Sequence, residues 1–351
     1  MASRKKVYIA LSGGVDSSVA ALKLVNSNFN CTGVYFKLFK GYSVNKNINL
    51  VKKLCEVLDI PFKIFDLRKE FREKIINYFI SEYKLGKTPN PCVLCNKYIK
   101  FGLFLKKSLK EEADFIVTGH YARNVYDEKI KKYKLLKGRD KLKDQSYFLY
   151  RLNQYELSKS LFPLGNLTKF EVRKIAVKNN LPTVKSKESQ EICFLKDKSI
   201  YSFLKKYLKT EKGNIIDTHG NILCKHNGYF NYTIGQREKL GIGGTGPYYV
   251  IGISPITNNI IVSNQEKLLF KNIIEINNIH LIKEKCPKLP LKCKVSIRYQ
   301  HKPFNTVLYK ENNRYYLHFQ KPQRAPTPGQ SVVIYLNNEC LGGGIITNFN
   351  Y

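Results

Sequence analysis

Three short strings of this chain carry residue types that can do chemistry. The first, Ser12-Gly13-Gly14-Val15-Asp16-Ser17-Ser18, follows the apolar run Val7 to Leu11 and precedes an amphipathic run from Ser18 to Val25. It reads as strand, phosphate-binding turn, helix. Adjacent glycines let the backbone turn sharply and aim N–H groups at an anion, the helix start adds its dipole, and Ser17 and Ser18 add hydroxyls. A Walker loop ends in Gly-Lys-Ser/Thr, and no lysine follows these glycines, so the ordinary P-loop reading fails. The second string is Thr88-Pro89-Asn90-Pro91-Cys92-Val93-Leu94-Cys95-Asn96-Lys97. Its two prolines bar a regular helix through Asn90 and place the cysteines on a shaped loop before a helix that starts near Lys97. A thiol near a helix amino terminus in a basic protein has a lowered pKa and is nucleophilic. Taken alone, this C-x-x-C is open to three readings: a redox pair, half a zinc site, or chance. A second C-x-x-C and a thioredoxin-like context are both missing. The third string, Ser189-Gln190-Glu191-Ile192-Cys193-Phe194, holds a lone cysteine that by itself reads as a small buried hydrophobe.

The elements that position these strings alternate from Lys5 to about Leu181. Strand-like runs at Val7 to Leu11, Cys31 to Leu38, Phe62 to Asp66 and Phe115 to Thr118 are separated by helical patterns near 17–27, 47–58, 69–84 and 97–112. Such alternation predicts an α/β fold, a doubly wound parallel sheet with helices on both faces. Ligands then belong at the carboxyl ends of the strands, where the Gly13-Gly14 turn, Tyr35-Phe36 and the Thr118-Gly119-His120 turn converge. After the charged segment 205–213 the pattern changes to short alternating strands. Tyr248 to Ile253, a Pro-Ile-Thr-Asn-Asn turn and Ile260 to Val262 form a hairpin. A second β set follows the stretch 283–290, at 292–300, 304–309, 315–319, 331–336 and 341–347. Two small, mostly β domains are expected.

Sixty Lys plus Arg against 27 Asp plus Glu leave a net charge of +33, which favours a polyanionic partner, nucleic acid ahead of membrane. Many lysines belong to solvated faces, because the chain is rich in Lys, Asn, Ile and Tyr and has no Trp. The run Lys129-Ile130-Lys131-Lys132 reads as a solvated loop or hairpin. No apolar run approaches the ~20 residues that span a bilayer. The amino terminus shows no export-signal pattern, and nine cysteines in such a chain point to a reducing, cytoplasmic setting and to catalysis or metal before disulfide scaffolds.

The string SGGVDSS resembles the pyrophosphatase loop of the ATP-pyrophosphatase (PP-loop) superfamily, whose members adenylate a carbonyl-type oxygen with ATP. All three strings in this order closely resemble the tRNA-specific 2-thiouridylases, which replace the C2 oxygen of the wobble uridine with sulfur. The likeness includes Thr118 to Arg123, Lys143 to Leu149, Tyr232 to Arg237 and Thr327 to Gln330, and so spans nearly the whole chain. It implies an adenine-nucleotide alpha-hydrolase-like catalytic domain over 1–205, a small central β domain over 206–280 and a C-terminal β-barrel domain over 281–351 that contacts tRNA. It further implies an ATP site at Ala10, Leu11, Ser12, Gly13, Gly14, Val15, Asp16 and Ser17 with Phe36 and Gly119, and Asp16 as a carboxylate that orients magnesium or phosphate. Cys95 resembles the nucleophile and Cys193 the carrier of a persulfide, with a Cys95–Cys193 disulfide formed in turnover. Asn90, Pro91 and Cys92 would touch the target base. His120, Lys143, Asp144, Gln145, Arg298, Tyr299 and Gln330 would contact tRNA. For His120 a structural role at a strand end, and for Arg298-Tyr299 a half-exposed strand pair, stand as alternatives.

A variant of this scheme makes Cys92, Cys95 and Cys193 three ligands of a [4Fe-4S] cluster. Cys92 departs from the aspartate of many relatives, which puts any proton transfer by that aspartate in doubt, and Glu238 stands where a lysine is common. The sulfur is expected from a cysteine desulfurase or a sulfur relay protein, since no fused sulfur-activating domain is evident. The rival readings are another tRNA-adenylating PP-loop enzyme, such as a lysidine synthetase or an amidotransferase-type synthetase, and a non-catalytic RNA-binding protein. Neither of those enzymes needs Cys95 and Cys193.

Overall fold

The computed structural model describes residues 4–40, 42–186, 192–195, 199–243 and 246–347. Ser189, Gln190 and Glu191 of the third string lie outside the described residues. The first part of the chain builds a five-stranded sheet from β1 (Lys6–Ala10), β2 (Asn30–Lys37), β3 (Phe62–Asp66), β4 (Phe115–Val117) and, after the hairpin β5 (Ala122–Asp127) and β6 (Lys132–Lys137), β7 (Ser160–Leu161). Its order is β3-β2-β1-β4-β7 and its pairings are all parallel. From β1 the chain winds outward first through β2 and β3 and then, on the other side, through β4 and β7. The order therefore reverses at β1, and the crevice that such a switch opens lies at the carboxyl end of β1, where Ser12 to Gly14 emerge. Both faces of the sheet are covered, which is why its strands read as continuous apolar runs. Val7, Ile9 and Tyr35 enter one core with Val19 and Ala20 of α1 (Val15–Asn26), whereas Tyr8 and Val34 enter the other with Ile99 and Phe104.

The expected helix near 97 begins earlier. Helical geometry runs without a break over residues 91–110, with a π-helical segment at Cys95–Phe104. Pro91 occupies the first helical position, where a missing N–H costs nothing, so the proline that bars a helix through Asn90 starts one instead. Both cysteines thus lie on the opening turns of a helix rather than on a loop before it. A second π segment, Arg72–Ile76, lies within the helical run 68–84.

Beyond residue 205, β8 (Lys212–Ile216), β9 (Ile222–Asn227), β10 (Tyr249–Ser254) and β11 (Asn259–Ser263) form a small sheet of order β10-β11-β8-β9, and the expected hairpin is β10–β11. The last sheet contains β12 (Phe270–Leu281), β13 (Leu291–Ser296), β14 (Phe304–Glu311), β15 (Arg314–Arg324), β16 (Ser331–Leu336) and β17 (Glu339–Ile346). Pairing of β12 with both β15 and β17 closes these six strands into a barrel. The boundary expected at 280/281 therefore moves: β12, assigned from the sequence to the central domain, is a barrel strand.

The β5–β6 hairpin does not join the parallel sheet. Leu135 and Leu136 pair with Cys340 and Glu339 of β17, which adds the hairpin to the barrel, and the lysine run at 129–132 lies at its turn, where Asp127 accepts from the Lys129 and Ile130 amides. One core is consequently shared, with Leu135, Tyr147 and Leu149 packed in the same cluster as Ile282, Val333, Tyr335 and Cys340. Truncation after residue 205 strips that cluster of its barrel half. The truncated chain is expected to aggregate or to lose the cooperative thermal transition of the full chain in circular dichroism; a cooperative melt within a few degrees of the full chain would contradict this shared core.

Candidate active site

The phosphate-type turn is built from its own hydroxyls. Gly13 has φ +82, a left-handed conformation that a side chain resists, and Gly14 caps α1 without any side-chain bond of its own. Ser17 and Ser18 donate to the Gly14 carbonyl at 3.0 Å each, and Ser12 Oγ lies 3.3 Å from the Gly14 amide and from Ser17 Oγ. Ser186 closes the turn from outside, donating to the Gly13 carbonyl at 2.9 Å. With no side chain capping it, the first turn of α1 can direct its N–H groups and dipole to an anion. Gly119 leans on this turn: a Cβ there would stand 2.9 Å from the Ser17 nitrogen and 3.1 Å from its Cα. Phe36, at the end of β2, packs edge-on against Phe104 at 4.8 Å.

Asp16 points at two partners that the sequence reading missed. Its Oδ1 accepts from the Tyr121 hydroxyl at 2.7 Å and pairs with Lys169 Nζ at 2.6 Å. Lys169 sits at the first position of the helix Lys169–Lys178, set there by a Thr168–Glu171 capping box. Nothing local distinguishes it from the other lysines of the chain; only the packing of that helix against α1 brings it here. Magnesium fits this corner in its usual manner, with one protein carboxylate and the rest of the shell from water and phosphate oxygens, because Asp16 keeps Oδ2 to offer.

The three thiols converge. Cys95 lies close enough to both Cys92 and Cys193 for their charges to act on it, and Cys193 acts in the same way on the Tyr35 hydroxyl. Asn47 bonds that hydroxyl and stands beside Gly13, its Cβ and Cγ 3.8 Å from where a Gly13 side chain would begin. Phosphate turn and thiols thus share one crevice. Cys193 is exposed on a short turn closed by the Leu195 amide on the Ile192 carbonyl, and the neighbouring Phe194 anchors it between Phe79 at 5.2 Å and Phe203 at 5.3 Å. Among the described residues no two cysteines are joined in a disulfide.

Their acidity is opposite to the sequence expectation. Burial pushes the Cys95 thiol up to about 12 and raises Cys92 as well, and the neighbouring Lys100 ammonium only partly offsets it. Cys95 follows the first helical turn rather than preceding it, so the helix dipole gives little, and desolvation wins. Among the described residues no three His, Cys, Asp or Glu side chains gather closely enough to hold a metal ion as they stand.

The residues expected at tRNA are mostly occupied with the protein. His120 is 7% exposed, shares a 2.8 Å hydrogen bond with Thr118 and packs between Phe101 and Phe162, and burial holds its imidazole well below the usual range. The structural alternative fits it, since a neutral buried ring has no free edge for RNA. Asp144 accepts from the Gly138 and Ser146 amides and the Ser146 hydroxyl, and Gln145 exchanges two hydrogen bonds with the Tyr121 backbone. Arg298 donates to the Ala325 carbonyl and, at 3.2 Å, to Thr327. Tyr299 lies 4.3 Å from the Phe148 ring, centre to centre, and is half-buried, as is Lys143. Gln330 donates to the Thr88 carbonyl at 2.6 Å, while the Thr88 amide donates to the Pro328 carbonyl at 2.9 Å. Asn90 occupies the position before the cysteine helix without a side-chain capping bond, and its side chain bonds the Tyr147 hydroxyl instead. Pro91 is buried and Cys92 half-buried beside it.

A parallel sheet with a lysine-free phosphate turn at its switch point, and thiols beside that turn, define the PP-loop class of ATP-using enzymes. Comparison with known proteins agrees. Residues 5–197 match the tRNA methyl transferase HUP domain family, 201–264 the tRNA methyl transferase PRC-barrel domain and 271–346 the aminomethyltransferase beta-barrel domain. The tRNA-specific 2-thiouridylase MnmA 2 of a Thermoanaerobacter species is 44% identical over 360 residues, covering 99% of each chain. The tRNA-specific 2-thiouridylases MnmA of Caldicellulosiruptor saccharolyticus and a Nostoc species are each 41% identical, covering 98% and 99% of this chain and the same shares of theirs. The chain belongs to the tRNA-specific 2-thiouridylase family.

Lys100 is the cation that favours the thiolate forms of the half-buried Cys92 and Cys95, and no sequence signal separated it from the lysines around it. Lys100→Met is expected to slow iodoacetamide labelling of Cys95 at pH 8 about three- to tenfold and to move its pH profile upward, since removing a nearby positive charge raises a thiol pKa further. Mass-spectrometric labelling rates from pH 7 to 10 measure this; an unmoved profile would remove Lys100 from the site.

Proposed function

We propose that the chain uses ATP to adenylate the C2 oxygen of the wobble uridine in tRNA and replaces that oxygen with sulfur carried on Cys193, giving 2-thiouridine. The convergence of Cys95, Cys92 and Cys193 beside the phosphate turn carries this reading, because neither lysidine synthesis nor passive RNA binding requires thiols there. Residues Ala10 to Ser17, with Phe36 and Gly119, hold ATP. The uridine oxygen attacks the α-phosphorus, pyrophosphate leaves toward the turn, and the N–H groups of α1 stabilise its charge. Asp16 would hold magnesium, which would supply further neutralisation of the phosphates. The base reaches this crevice by leaving the anticodon stack and meeting Asn90, Pro91 and Cys92.

The terminal sulfur of a Cys193 persulfide then adds to C2, and AMP departs with the former C2 oxygen. Cys95 attacks Cys193 Sγ, the bond to the transferred sulfur breaks, and its electrons form the thiocarbonyl while Cys95 loses its proton. A Cys95–Cys193 disulfide remains, to be reduced by an external thiol. Burial of Cys95 suits this order: kept as a thiol, it does not consume the persulfide before the base is activated. Lys143 and Tyr299 meet RNA directly. His120, Asp144, Gln145, Arg298 and Gln330 serve it by holding the surrounding loops. A cysteine desulfurase or sulfur relay protein loads the exposed Cys193.

Activation and sulfur transfer are expected to separate by mutation. Cys193→Ser keeps tRNA-dependent ATP–pyrophosphate exchange but yields no 2-thiouridine by nucleoside mass spectrometry. Asp16→Ala lowers exchange about 10²- to 10³-fold, the usual consequence of losing one electrostatic contact at a transition state. Thiolated tRNA from Cys193→Ser at the normal rate would overturn the persulfide assignment.

A further inference from the structure

The charged segment 205–213, which marks a domain boundary in the sequence, has no part in the site described above. The structure sets it beside the sulfur-carrying thiol. Cys193 is exposed, and the ring of Phe194, the next residue, lies 5.3 Å from that of Phe203, which in turn lies 5.3 Å from that of Tyr207. Phe79 and Tyr83 of the helix Asn77–Lys84 form the floor on which Phe194, Phe203 and Leu204 pack, so the segment is fixed relative to the thiol. Its outer side differs in character. Tyr207 is 44% exposed, and its neighbours along the chain, Lys205, Lys206, Lys209 and Lys212, are exposed as well, against one carboxylate, Glu211. An outward tyrosine held at its base by ring contacts and rimmed by cations has the composition of a protein-binding hot spot rather than of a solvated tail.

We propose that this patch docks the sulfur-donating protein, seating an acidic surface of the donor on the lysines, with Tyr207 as the apolar anchor and the donor's persulfide over Cys193. The inference rests on the reading of Cys193 as the persulfide carrier. Sulfur passes only between atoms in contact: Cys193 Sγ bonds the terminal sulfur of the donor persulfide, the donor's S–S bond breaks, and the donor leaves as a thiol that has taken up the Cys193 proton. A protein that brings its sulfur to this atom must cover what lies beside it, and a specific interface covers roughly 800 Å² of each partner, enough to reach Tyr207 and its lysines. Opposite charge on the two faces steers the encounter and fixes its register. RNA is the competing occupant. The base contacts expected of tRNA are Asn90, Pro91 and Cys92, whereas this patch adjoins the thiol that has to be loaded.

The test compares two sulfur sources on the full-length protein: a cysteine desulfurase from the same cells, charged with cysteine, and glutathione persulfide, which is too small to need the patch. Persulfide on Cys193 is read by mass spectrometry, with tRNA-dependent ATP–pyrophosphate exchange and a thermal melt recorded for each variant. The triple variant Lys205→Glu/Lys206→Glu/Lys209→Glu should slow loading from the desulfurase about ten- to a hundredfold, and rising salt should slow loading of the wild type. Tyr207→Ala should slow it about tenfold and Tyr207→Phe much less, and Tyr207→Ala carries the test should the triple variant unfold. Loading from glutathione persulfide and pyrophosphate exchange should stay within about threefold of wild type throughout, as for surface substitutions away from a working site. Equal loading of wild type and variants by the desulfurase would overturn the proposal, as would a wild type loaded by glutathione persulfide but not by the desulfurase. Loss of tRNA-dependent exchange in a folded triple variant would make the patch an RNA surface and overturn it as well. A wild-type Cys193 that takes sulfur from neither source would instead overturn the persulfide reading itself.

Discussion

Two hydrogen bonds between residues far apart in sequence hold the start of the cysteine helix. Gln330 and Pro328, on the turn before the barrel strand β16, clamp the carbonyl and amide of Thr88, and Thr233 of the central unit approaches the Thr88 hydroxyl at 3.4 Å. Each bond contributes only about 1 kcal/mol of stability. Their importance is geometric. Gly329, at φ +87, brings the turn so close that a side chain there would stand 3.0 Å from Lys87 Cβ and 3.2 Å from the Thr88 amide, so the clamp admits no slack. Asn90 and Pro91 follow at once and start the helix, and the positions of Cys92 and Cys95 are consequences of that start. Three parts of the chain thus agree on where the thiols stand.

The same packing that positions the thiols desolvates them. In bulk water a helix amino terminus and a nearby ammonium would favour thiolates, but inside a protein the loss of hydration is the larger effect, and only Lys100 works against it. Cys193, exposed on its small turn, faces the other way. The difference between the two thiols is burial rather than residue type.

The charge of the chain divides along similar lines. Many lysines are paired on the surface, as Lys5 is with Asp114, or lie along aromatic rings, as Lys174 does over the exposed Phe170 at 4.5 Å. Such exposed pairs add little to stability. Lys100 and Lys169 differ from them only in what surrounds them. Among the described residues no helix is long and apolar enough to cross a membrane.

Much of the architecture was legible in the sequence because it depends on local pattern. Apolar runs alternating with amphipathic ones place four of the five strands of the parallel sheet to within a residue or two, missing only the two-residue β7, and a glycine pair between strand and helix marks the anion site, since only glycine adopts φ +82 freely. The hairpin at 249–263 and the barrel strands follow from alternation and turn residues in the same way. Tertiary structure decided what local pattern leaves open. It moved the β5–β6 hairpin and β12 into the barrel, because strand pairing depends on which edges meet rather than on the strand's own residues. It turned His120, Asp144 and Gln330 inward, where hydrogen-bond partners from distant segments occupy them. It also raised the thiols that proximity to a helix end had been expected to lower, and it chose Lys100 and Lys169 from a chain crowded with lysines. Charge and acidity at a site are set by burial and by neighbours that only the folded chain assembles, and no spacing of residues along the sequence carries that information.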